Sequence, residues 1–403
     1  MRRQSRLPAA GAAMAALLLA GCGAGSARIT VTGNVAHRPS AAQLVAAAQA
    51  ADLAAAAPLL STLSVRQLAG QRIIYGYSGL TPPAQLLTLI RQGDVGGVIF
   101  FGSNFRSRPQ FTAAVRLLEK ANASTSNPAR AYPLLLMTDQ EGGLVRRLPG
   151  APVRSEKAIG SIRPISAAIT AARQAGGGAA QNLRSFGLNV NLAPVLDVFH
   201  TAGDFDDQFQ RSYSMSASVV SALGAPFVRA QQGGKVAATA KHFPGLGRAG
   251  RGQNTDNGPV KISASKAALQ SVDEAPYAGV IKAGVKLVMV SWAVYPNLGS
   301  TRPAGLSPVI VQGQLRDRLG FAGVTITDSI AAGALRAFGS TGTRALKAAQ
   351  AGMDLILVAS LPVGSGVDCL NALAHGYSDG VLNKTTFKTA VAQILALRKS
   401  LPT

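Results

Sequence analysis

The stretch LLLMTDQEGG, residues 134–143, joins an apolar run to a polar turn that contains two glycines. Runs of the same kind, short, apolar and rich in β-branched residues, occur at residues 72–77, 95–101, 134–138, 188–198, 235–240, 286–290, 323–327 and 353–358. Longer segments with helical spacing lie between them, such as residues 109–123, 167–186, 264–283 and 343–351. Apolar strands that alternate with helices indicate a parallel sheet covered on its outer face.

The number of these units predicts how the sheet is arranged. Eight strand–helix units suit closure into a (β/α)8 barrel, which needs about 250 residues or more. A doubly wound open sheet is the alternative, but no Gly-x-Gly-x-x-Gly turn follows the first strand. We therefore predict an α/β fold with one TIM-type barrel over residues 59–403, whose chemistry lies where strands end and loops begin.

The first residues are typical of an exported protein. Three arginines among the first six residues precede an apolar run, residues 9–20, that is too short to span a bilayer. The sequence Leu-Ala-Gly-Cys at residues 19–22 resembles the lipobox of bacterial lipoproteins. This resemblance implies that Cys22 is diacylated and anchors the mature chain stably in a membrane. The alternative is an ordinary signal peptide that is followed by a cysteine by chance.

The predicted organisation therefore has three parts. Residues 1–21 are the lipoprotein signal peptide, residues 22–58 are a lipidated tether with an Ala-rich lead helix at residues 41–58, and residues 59–403 are the barrel. This organisation predicts a lipid-anchored protein on the extracytoplasmic face of a bacterial cell membrane.

The charge and the cysteines limit the partners and the means of stabilisation. Lys and Arg number 40 against 18 Asp and Glu, for a net charge of +22; residues 1–21 hold three arginines and no acid, so +19 remains without them. Such a charge favours anionic surroundings, such as phospholipid head groups or acidic wall polymers. The basic residues are scattered singly, without interleaved aromatics, which excludes nucleic acid as the expected partner. If Cys22 carries lipid, Cys369 has no partner and the fold has no disulfide.

Charged side chains stand at the ends of four predicted strands. Asp139 follows the third strand, Asp197 ends the fourth, Lys241 and His242 end the fifth, and Asp328 ends the seventh. A carboxylate at the end of a buried strand is costly unless it is paired or functional, and a nucleophilic carboxylate suits that place. Adjacent Lys and His can both donate hydrogen bonds to hydroxyls. The alternatives are a helix N-cap for Asp139 and a structural role for His242.

These segments together resemble the catalytic domain of family 3 glycoside hydrolases, and most of all its single-domain β-N-acetylglucosaminidases. The resemblance covers roughly residues 63–397. The segments that carry it are LSVRQLAGQ at 63–71, DQEGG at 139–143, LAPVLD at 192–197, RSY at 211–213, KHFPG at 241–245, VMV at 288–290, TD at 327–328 and AGMD at 351–354. Any one of these motifs is weakly specific, whereas their order along the chain is highly specific.

The resemblance implies a mechanism and a set of site residues. Asp328 falls where the family's nucleophile lies, so the implied chemistry is two-step retaining hydrolysis through a covalent glycosyl-enzyme. A second group about 5 Å away acts first as acid and then as base. No cofactor or metal is implied. The positions that match residues holding the sugar beside the scissile bond are Asp139, Arg147, Arg211, Lys241 and His242.

The sequence departs from the family in the loop that supplies the acid/base. In the glucosaminidase branch Lys-His-Phe-Pro-Gly is followed by His-Gly and then by a loop with Asp-Ser-His. This chain has Leu246 in place of the first His, and residues 248–258 contain no histidine. Asp256 is the expected replacement, because a carboxylic acid with a raised pKa can do the same work. Its stretch, Asn-Thr-Asp-Asn-Gly, also favours a plain turn.

Two other interpretations stay open at this point. One of four residues on the preceding strand's loop could supply the proton: His200, Asp204, Asp206 or Asp207. Otherwise the barrel has kept its sugar site and lost efficient catalysis, which makes it a glycan-binding lipoprotein.

A further departure is Trp292, the only tryptophan, at a position where the family often has His. It could stack on a sugar face or pack inside an interface. Taken together, the sequence predicts a retaining β-N-acetylhexosaminidase-like glycosidase that acts as a monomer on wall-derived glycans.

Overall fold

Eight parallel strands form a closed barrel in the computed structural model, which describes residues 39–359 and 362–402. Each strand pairs with its neighbours in sequence, and the first pairs with the last through Ile74 and Leu357. The predicted barrel and its eight strands are confirmed, and the open-sheet alternative is wrong. The strands are Ile73–Tyr75 (β1), Gly97–Ile99 (β2), Leu135–Thr138 (β3), Val190–Asn191 (β4), Ala237–Phe243 (β5), Leu287–Val290 (β6), Val324–Ser329 (β7) and Leu355–Val358 (β8).

Helices connect the strands and surround the barrel. The α-helices are Ala41–Leu60, Val65–Gly70, Ala84–Arg91, Arg108–Asn122, Glu156–Gly160, Ile165–Ser185, Phe205–Gln208, Ala217–Gly233, Lys266–Ala268, Ala275–Lys282, Thr341–Ala351, Val363–Ser378 and Lys384–Lys399. Wider, π-type turns run over Leu269–Asp273 and Val309–Arg318, and short 3-10 turns over Gly102–Asn104, Pro296–Leu298, Ala304–Leu306 and Gly333–Phe338. A small hairpin, Gln140–Gly142 with Val145–Arg146, follows β3.

One predicted helix, residues 264–283, is divided into three pieces. The chain passes from Lys266–Ala268 through the wider turns of Leu269–Asp273 and starts again at Ala275. Pro276 lies in the first turn of the last piece, where its missing N–H leaves no helical hydrogen bond unmade. The position of this proline explains why the last piece begins where it does.

The core has two layers, because successive side chains of a strand point to opposite faces. Ile74 belongs to the cluster inside the barrel, while its neighbours Ile73 and Tyr75 pack outward against the helices. The inner cluster also contains Ile394 and Leu397 of the C-terminal helix, Lys384–Lys399. These two side chains close the end of the barrel where the strands begin.

The Ala-rich lead helix, predicted at residues 41–58, is present as Ala41–Leu60. Ser40 and Gln43 form a capping box at its start, which satisfies backbone N–H groups that a helix end leaves free. The helix packs against the C-terminal helix and belongs to the same compact unit as the barrel, Pro39–Thr403. By length and composition alone it could also cross a membrane. The predicted signal peptide and Cys22 lie outside the described residues.

Candidate active site

The ends of the strands enclose a cavity of about 460 Å³. It lies at the carboxyl ends of β3, β5 and β7, where (β/α)8 barrels carry their chemistry. The structure brings together every site residue that the sequence predicted in the barrel. These lining residues are Asp139, Arg147, Arg211, Lys241, His242, Asp256 and Asp328.

Lys241 lies between two carboxylates at the end of β5. Its Nζ is 2.7 Å from Asp139 Oδ1 and 2.7 Å from Glu141 Oε1, and its side chain is buried. Burial by itself lowers the pKa of a lysine, but the charges of Asp139 and Glu141 outweigh it and raise the pKa of Lys241. The ammonium group therefore stays charged and fixes both carboxylates.

Arg211 holds Glu141 from the other side. Its Nε and Nη2 donate to the two oxygens of Glu141 at 2.9 and 3.0 Å, and its Nη1 donates to Asp206 at 3.1 Å. Burial opposes ionisation of Glu141, but Arg211 and Lys241 together lower its pKa to about 2. Glu141 thus links two cations and leaves Asp139 as the carboxylate with room for a ligand.

Asp197 orients His242. Its Oδ2 lies 2.6 Å from His242 Nδ1, and its carboxylate also accepts the backbone N–H groups of His242 and Leu246. Burial and the nearby Arg211 lower the pKa of His242 to about 4, so the ring is neutral near pH 7. With its Nδ1 proton assigned to the bond with Asp197, the ring presents an accepting Nε2 to the cavity. With this tautomer His242 accepts a hydrogen bond in the cavity, whereas the sequence led us to expect a donor.

Asp328 lies at the end of β7, and its Oδ1 accepts the N–H of Ser329 at 2.6 Å. Burial and the charge of Asp256 raise the pKa of Asp328, while His242, Ser329 and Lys241 oppose that rise. Asp256 and Asp328 line the same cavity.

Trp292 supports the same strand end from behind. Its side chain is fully buried, and its indole N–H donates to the carbonyl of Ser329 at 2.8 Å. It does not line the cavity. Of the two predicted roles for Trp292, packing is right and stacking on a sugar is wrong in this structure.

Asp256 sits on a turn at the lip of the cavity. The side chain of Asn254 accepts the N–H of Asp256 at 2.8 Å, and the carbonyl of Asn254 accepts the N–H of Asn257 at 3.0 Å. The turn expected from the composition is thus present, and its exposed carboxyl group still faces the cavity. The N–H of Gly333 donates to the carbonyl of Asp256 at 2.7 Å, which fixes the turn to the segment after β7.

The four residues on the loop after β4 have other partners. His200 lies 3.1 Å from Asp273, the carboxylate of Asp204 accepts backbone N–H groups at residues 200 and 201, and Asp207 pairs with Lys157 at 2.7 Å. Asp206 is buried beside Arg211. None of the four lines the cavity, so the structure does not favour a proton donor from this loop.

Sequence reasoning missed several residues of the cavity. Glu141 belongs to the DQEGG motif and Asp197 to LAPVLD, but the sequence predicted no function for either side chain. Three aromatic side chains that line the cavity were also missed: Phe101, Phe205 and Phe209. Phe209 is 42% exposed and meets Phe205 edge to face at 5.6 Å. The two phenylalanines of the short stretch FDDQF, which follows a strand end, could have indicated aromatic side chains in the cavity.

One cluster among the described residues has ligand atoms close enough to hold a metal ion: Asp197, Asp206 and His242, within 4.8 Å of one another. These atoms already bind each other and Arg211, whose guanidinium lies 3.1 Å from Asp206. Burial and the charge of Asp197 raise the pKa of Asp206 to about 7. The cluster therefore serves as the buried support of His242 and Arg211.

A polar cavity with two accessible carboxyl groups, buried cations and aromatic faces at the strand ends of a (β/α)8 barrel is typical of a glycosidase. The sequence comparison agrees. Residues 78–397 match the glycosyl hydrolase family 3 N terminal domain, and the chain belongs to this family.

Three relatives describe the likeness further. An uncharacterized secreted glycosyl hydrolase of Arthroderma benhamiae is 41% identical, over 87% of this chain and 98% of that protein. A β-hexosaminidase of Xylella fastidiosa is 32% identical, over 71% of this chain and 82% of that protein. The structure of a family 3 β-N-acetylglucosaminidase from a Paenibacillus species superposes with a TM-score of 0.77 at 32% identity, over 84% of this chain and 63% of that chain. The predicted family and the predicted β-N-acetylhexosaminidase-like glycosidase are confirmed.

Proposed function

We propose that this protein removes β-linked N-acetylglucosamine from glycans by retaining hydrolysis, with Asp328 as nucleophile and Asp256 as acid/base. The observation that carries the proposal is the pair itself. Two carboxyl groups from different loops line one cavity, and each alters the charge of the cavity that the other feels. The choice of N-acetylglucosamine as the sugar rests on the relatives, which are named β-hexosaminidase and β-N-acetylglucosaminidase.

The reaction has two steps. In the first, an oxygen of Asp328 bonds to the anomeric carbon while the glycosidic bond breaks and Asp256 gives its proton to the leaving oxygen. In the second, Asp256 takes a proton from water, the water oxygen bonds to the anomeric carbon, and the bond to Asp328 breaks. The two inversions at the anomeric carbon restore its original configuration.

The environment distributes one proton over the two carboxyl groups. Asp328 accepts the N–H of Ser329, and the charge of Lys241 favours its ionised form. Partial burial raises the pKa of Asp256, Arg211 opposes that rise, and the charge of Asp139 adds to it. The proposed roles require the proton on Asp256 and the negative charge on Asp328, and these neighbours favour that distribution.

The remaining polar groups bind the sugar in the subsite next to the scissile bond. Asp139 accepts hydroxyl hydrogen bonds, and Lys241 and Arg147 lie 2.7 and 3.8 Å from its carboxyl oxygens. Arg211 Nη2 donates to His242 Nε2 at 3.4 Å, a long hydrogen bond that a sugar hydroxyl can replace as donor. The exposed ring of Phe209 offers an apolar face to the sugar.

One observation favours a second function, binding of glycans without efficient catalysis. Asp256 is exposed, and water around a carboxyl group favours its ionised form, which cannot protonate a leaving group. On this alternative the buried subsite still holds a sugar.

We further propose that the protein works on the outer face of the cytoplasmic membrane on wall-derived glycans, as a lipid-anchored monomer. The N-terminal pattern with Cys22 supports this location, and a relative at 41% identity is described as secreted.

Trapping the covalent intermediate tests the proposal. Residues 39–403 are incubated with 2-deoxy-2-fluoro glycosyl fluorides, whose good leaving group reduces the need for an acid, and the intact mass is measured. The expected result is one sugar adduct, located on Asp328 by peptide mapping and absent from Asp328→Ala. A chain that binds N-acetylglucosamine in calorimetry but forms no adduct with several sugars is a glycan-binding protein instead.

A further inference from the structure

The end of the barrel opposite the cavity carries a ring of basic side chains. In a (β/α)8 barrel the segments that lead into the strands share this end. Those leading into β2 to β6 each contain at least one exposed Lys or Arg: Arg91, Arg130, Arg184, Lys235, Lys282 and Lys286. Two acidic residues lie beside these six exposed cations: Asp94 is buried and pairs with Arg66 at 2.7 Å, and the exposed Glu119 shares a cavity with Arg130 and Arg184. The exposed charge of this end is therefore positive.

The lead helix, Ala41–Leu60, lies across the same end. Ala41 lies beside Gly320, which precedes β7, and the charge of Lys286, which precedes β6, acts on Asp52. Asp52 also shares a small cavity with Tyr132, which precedes β3. The helix thus reaches across several of the segments that carry the basic ring.

The outward side of the lead helix is apolar. Asp52 is its only charged residue and is partly buried, whereas Leu44 is 57% exposed and most of the alanines are exposed. Val45, Ala56 and Leu60 face the protein. An apolar helix surface among basic residues matches the interface of an anionic lipid bilayer, where apolar groups enter the head-group region and cations remain near the phosphates.

We propose that this surface, formed by the lead helix and the basic ring, docks on an anionic phospholipid bilayer. The positive charge opposes a second copy of the chain in the same place, since two such surfaces repel each other. The chain also enters the barrel here: the sixteen residues from Gly23 to Arg38 join the predicted anchor Cys22 to this end, and sixteen residues span at most about 55 Å. Docking directs the cavity, at the other end of the strands, away from the membrane and toward its glycans. It does not depend on the proposed catalytic roles.

Vesicle binding tests the docking without the anchor. Residues 39–403 contain the whole barrel with both core layers, so this part of the chain is used. It is sedimented with vesicles of equal phosphatidylglycerol and phosphatidylcholine, and with phosphatidylcholine alone. We expect binding to the anionic vesicles only, weakened by salt because the charges are exposed.

Paired variants separate this surface from the general charge of the protein. Lys282→Glu with Lys286→Glu should lower the partition coefficient more than tenfold, at roughly fivefold for each charge lost. The control is Arg106→Glu with Arg336→Glu, two exposed residues at the cavity end. This double variant changes the net charge by the same amount but should change the partition coefficient less than twofold. Leu44→Glu should weaken binding severalfold, whereas Leu117→Glu, on the flank helix Arg108–Asn122, should not.

Three results would overturn the proposal. The first is no binding of the unchanged chain to anionic vesicles, and the second is equal weakening by the two double variants. The third is self-association in sedimentation velocity that Leu44→Glu abolishes, which would make this surface an interface between copies of the chain. Melting temperatures confirm that each variant is folded.

Discussion

The two sides of the cavity are built differently. On one side, Asp139, Glu141, Arg211 and Lys241 form a buried network with charged contacts between 2.7 and 3.0 Å. On the other, Asp256 stands exposed on a turn held by backbone hydrogen bonds. Binding a sugar requires fixed charges, whereas donating and then accepting a proton requires a group whose charge can change. In the proposed function, the buried side recognises the sugar and the exposed side sets the rate.

The largest expected effect is at Asp328, the proposed nucleophile between the two sides. Asp328→Ala should lower kcat by at least about a thousandfold, because the covalent route is lost. Steady-state hydrolysis of an aryl N-acetylglucosaminide measures it. Asp317→Ala, an exposed acid away from the cavity, is the control and should leave kcat unchanged. Activity of Asp328→Ala within tenfold of the unchanged protein would remove Asp328 from this role.

The buried network should contribute to the free energy of unfolding. Lys241→Met leaves Asp139 and Glu141 without their shared cation, and removing one partner of a buried pair costs about 3–5 kcal/mol. Lys120→Met is the control: this lysine is exposed near the end of the helix Arg108–Asn122, so the expected cost is about 0.5 kcal/mol or less. Urea unfolding measures both. Equal costs would show that the network does not stabilise the fold as a buried unit.

On the exposed side, the effect of changing Asp256 on kcat/KM should depend on the leaving group of the substrate. Asp256→Asn should lower kcat/KM about a hundredfold or more for a chitobiose-type substrate, whose leaving group needs a proton. The loss should be much smaller for an aryl glycoside with an acidic phenol, and Asn257→Ala should affect neither substrate. An equal loss for both substrates would mean that Asp256 positions the sugar rather than supplying the proton.

The smallest expected effect is on the pH profile. Asp328 must be ionised, and its raised pKa makes activity fall as the pH decreases through that value. Asp256 must be protonated in the first step, and its raised pKa makes activity fall as the pH increases. Asp256→Asn removes a charge that raises the pKa of Asp328, so the acidic limb should move to lower pH and the basic limb should disappear. Measurement of kcat/KM across pH tests this, and a basic limb that persists in the variant would assign that limb to another group.

The dependence of stability on pH should also differ between Glu141 on the buried side and Asp256 on the exposed side. Arg211 and Lys241 lower the pKa of Glu141 to about 2 from its ordinary value of 4.5. This group's contribution to stability is therefore present above pH 4.5 and is lost as the pH falls toward 2. The pKa of Asp256 is raised instead, so this group lowers stability as the pH rises through its titration. Asp256→Asn should therefore retain the loss of stability toward pH 2 that Glu141 causes, and urea unfolding across pH measures it.

Much of the site was predictable, because a closed parallel barrel brings the carboxyl ends of all its strands to one face. Once eight apolar runs are recognised, Asp139, Lys241 and Asp328 must lie near one another, although Asp139 and Lys241 are 102 residues apart. The same reasoning could not place His200, which is on a strand-end loop and yet pairs with Asp273. A loop's side chains depend on the loop's path, which periodicity does not describe.

The sequence by itself determined the family, the barrel and the residues at its strand ends, since these follow from the order of apolar runs and motifs along the chain. Only the tertiary structure decided which charges meet: Lys241 between two carboxylates, a neutral His242 on Asp197, Trp292 behind Ser329, and the basic ring beside an apolar helix at the far end. Charge state and hydrogen bonding depend on distances of a few ångströms between distant residues, and those distances exist only when the chain is folded.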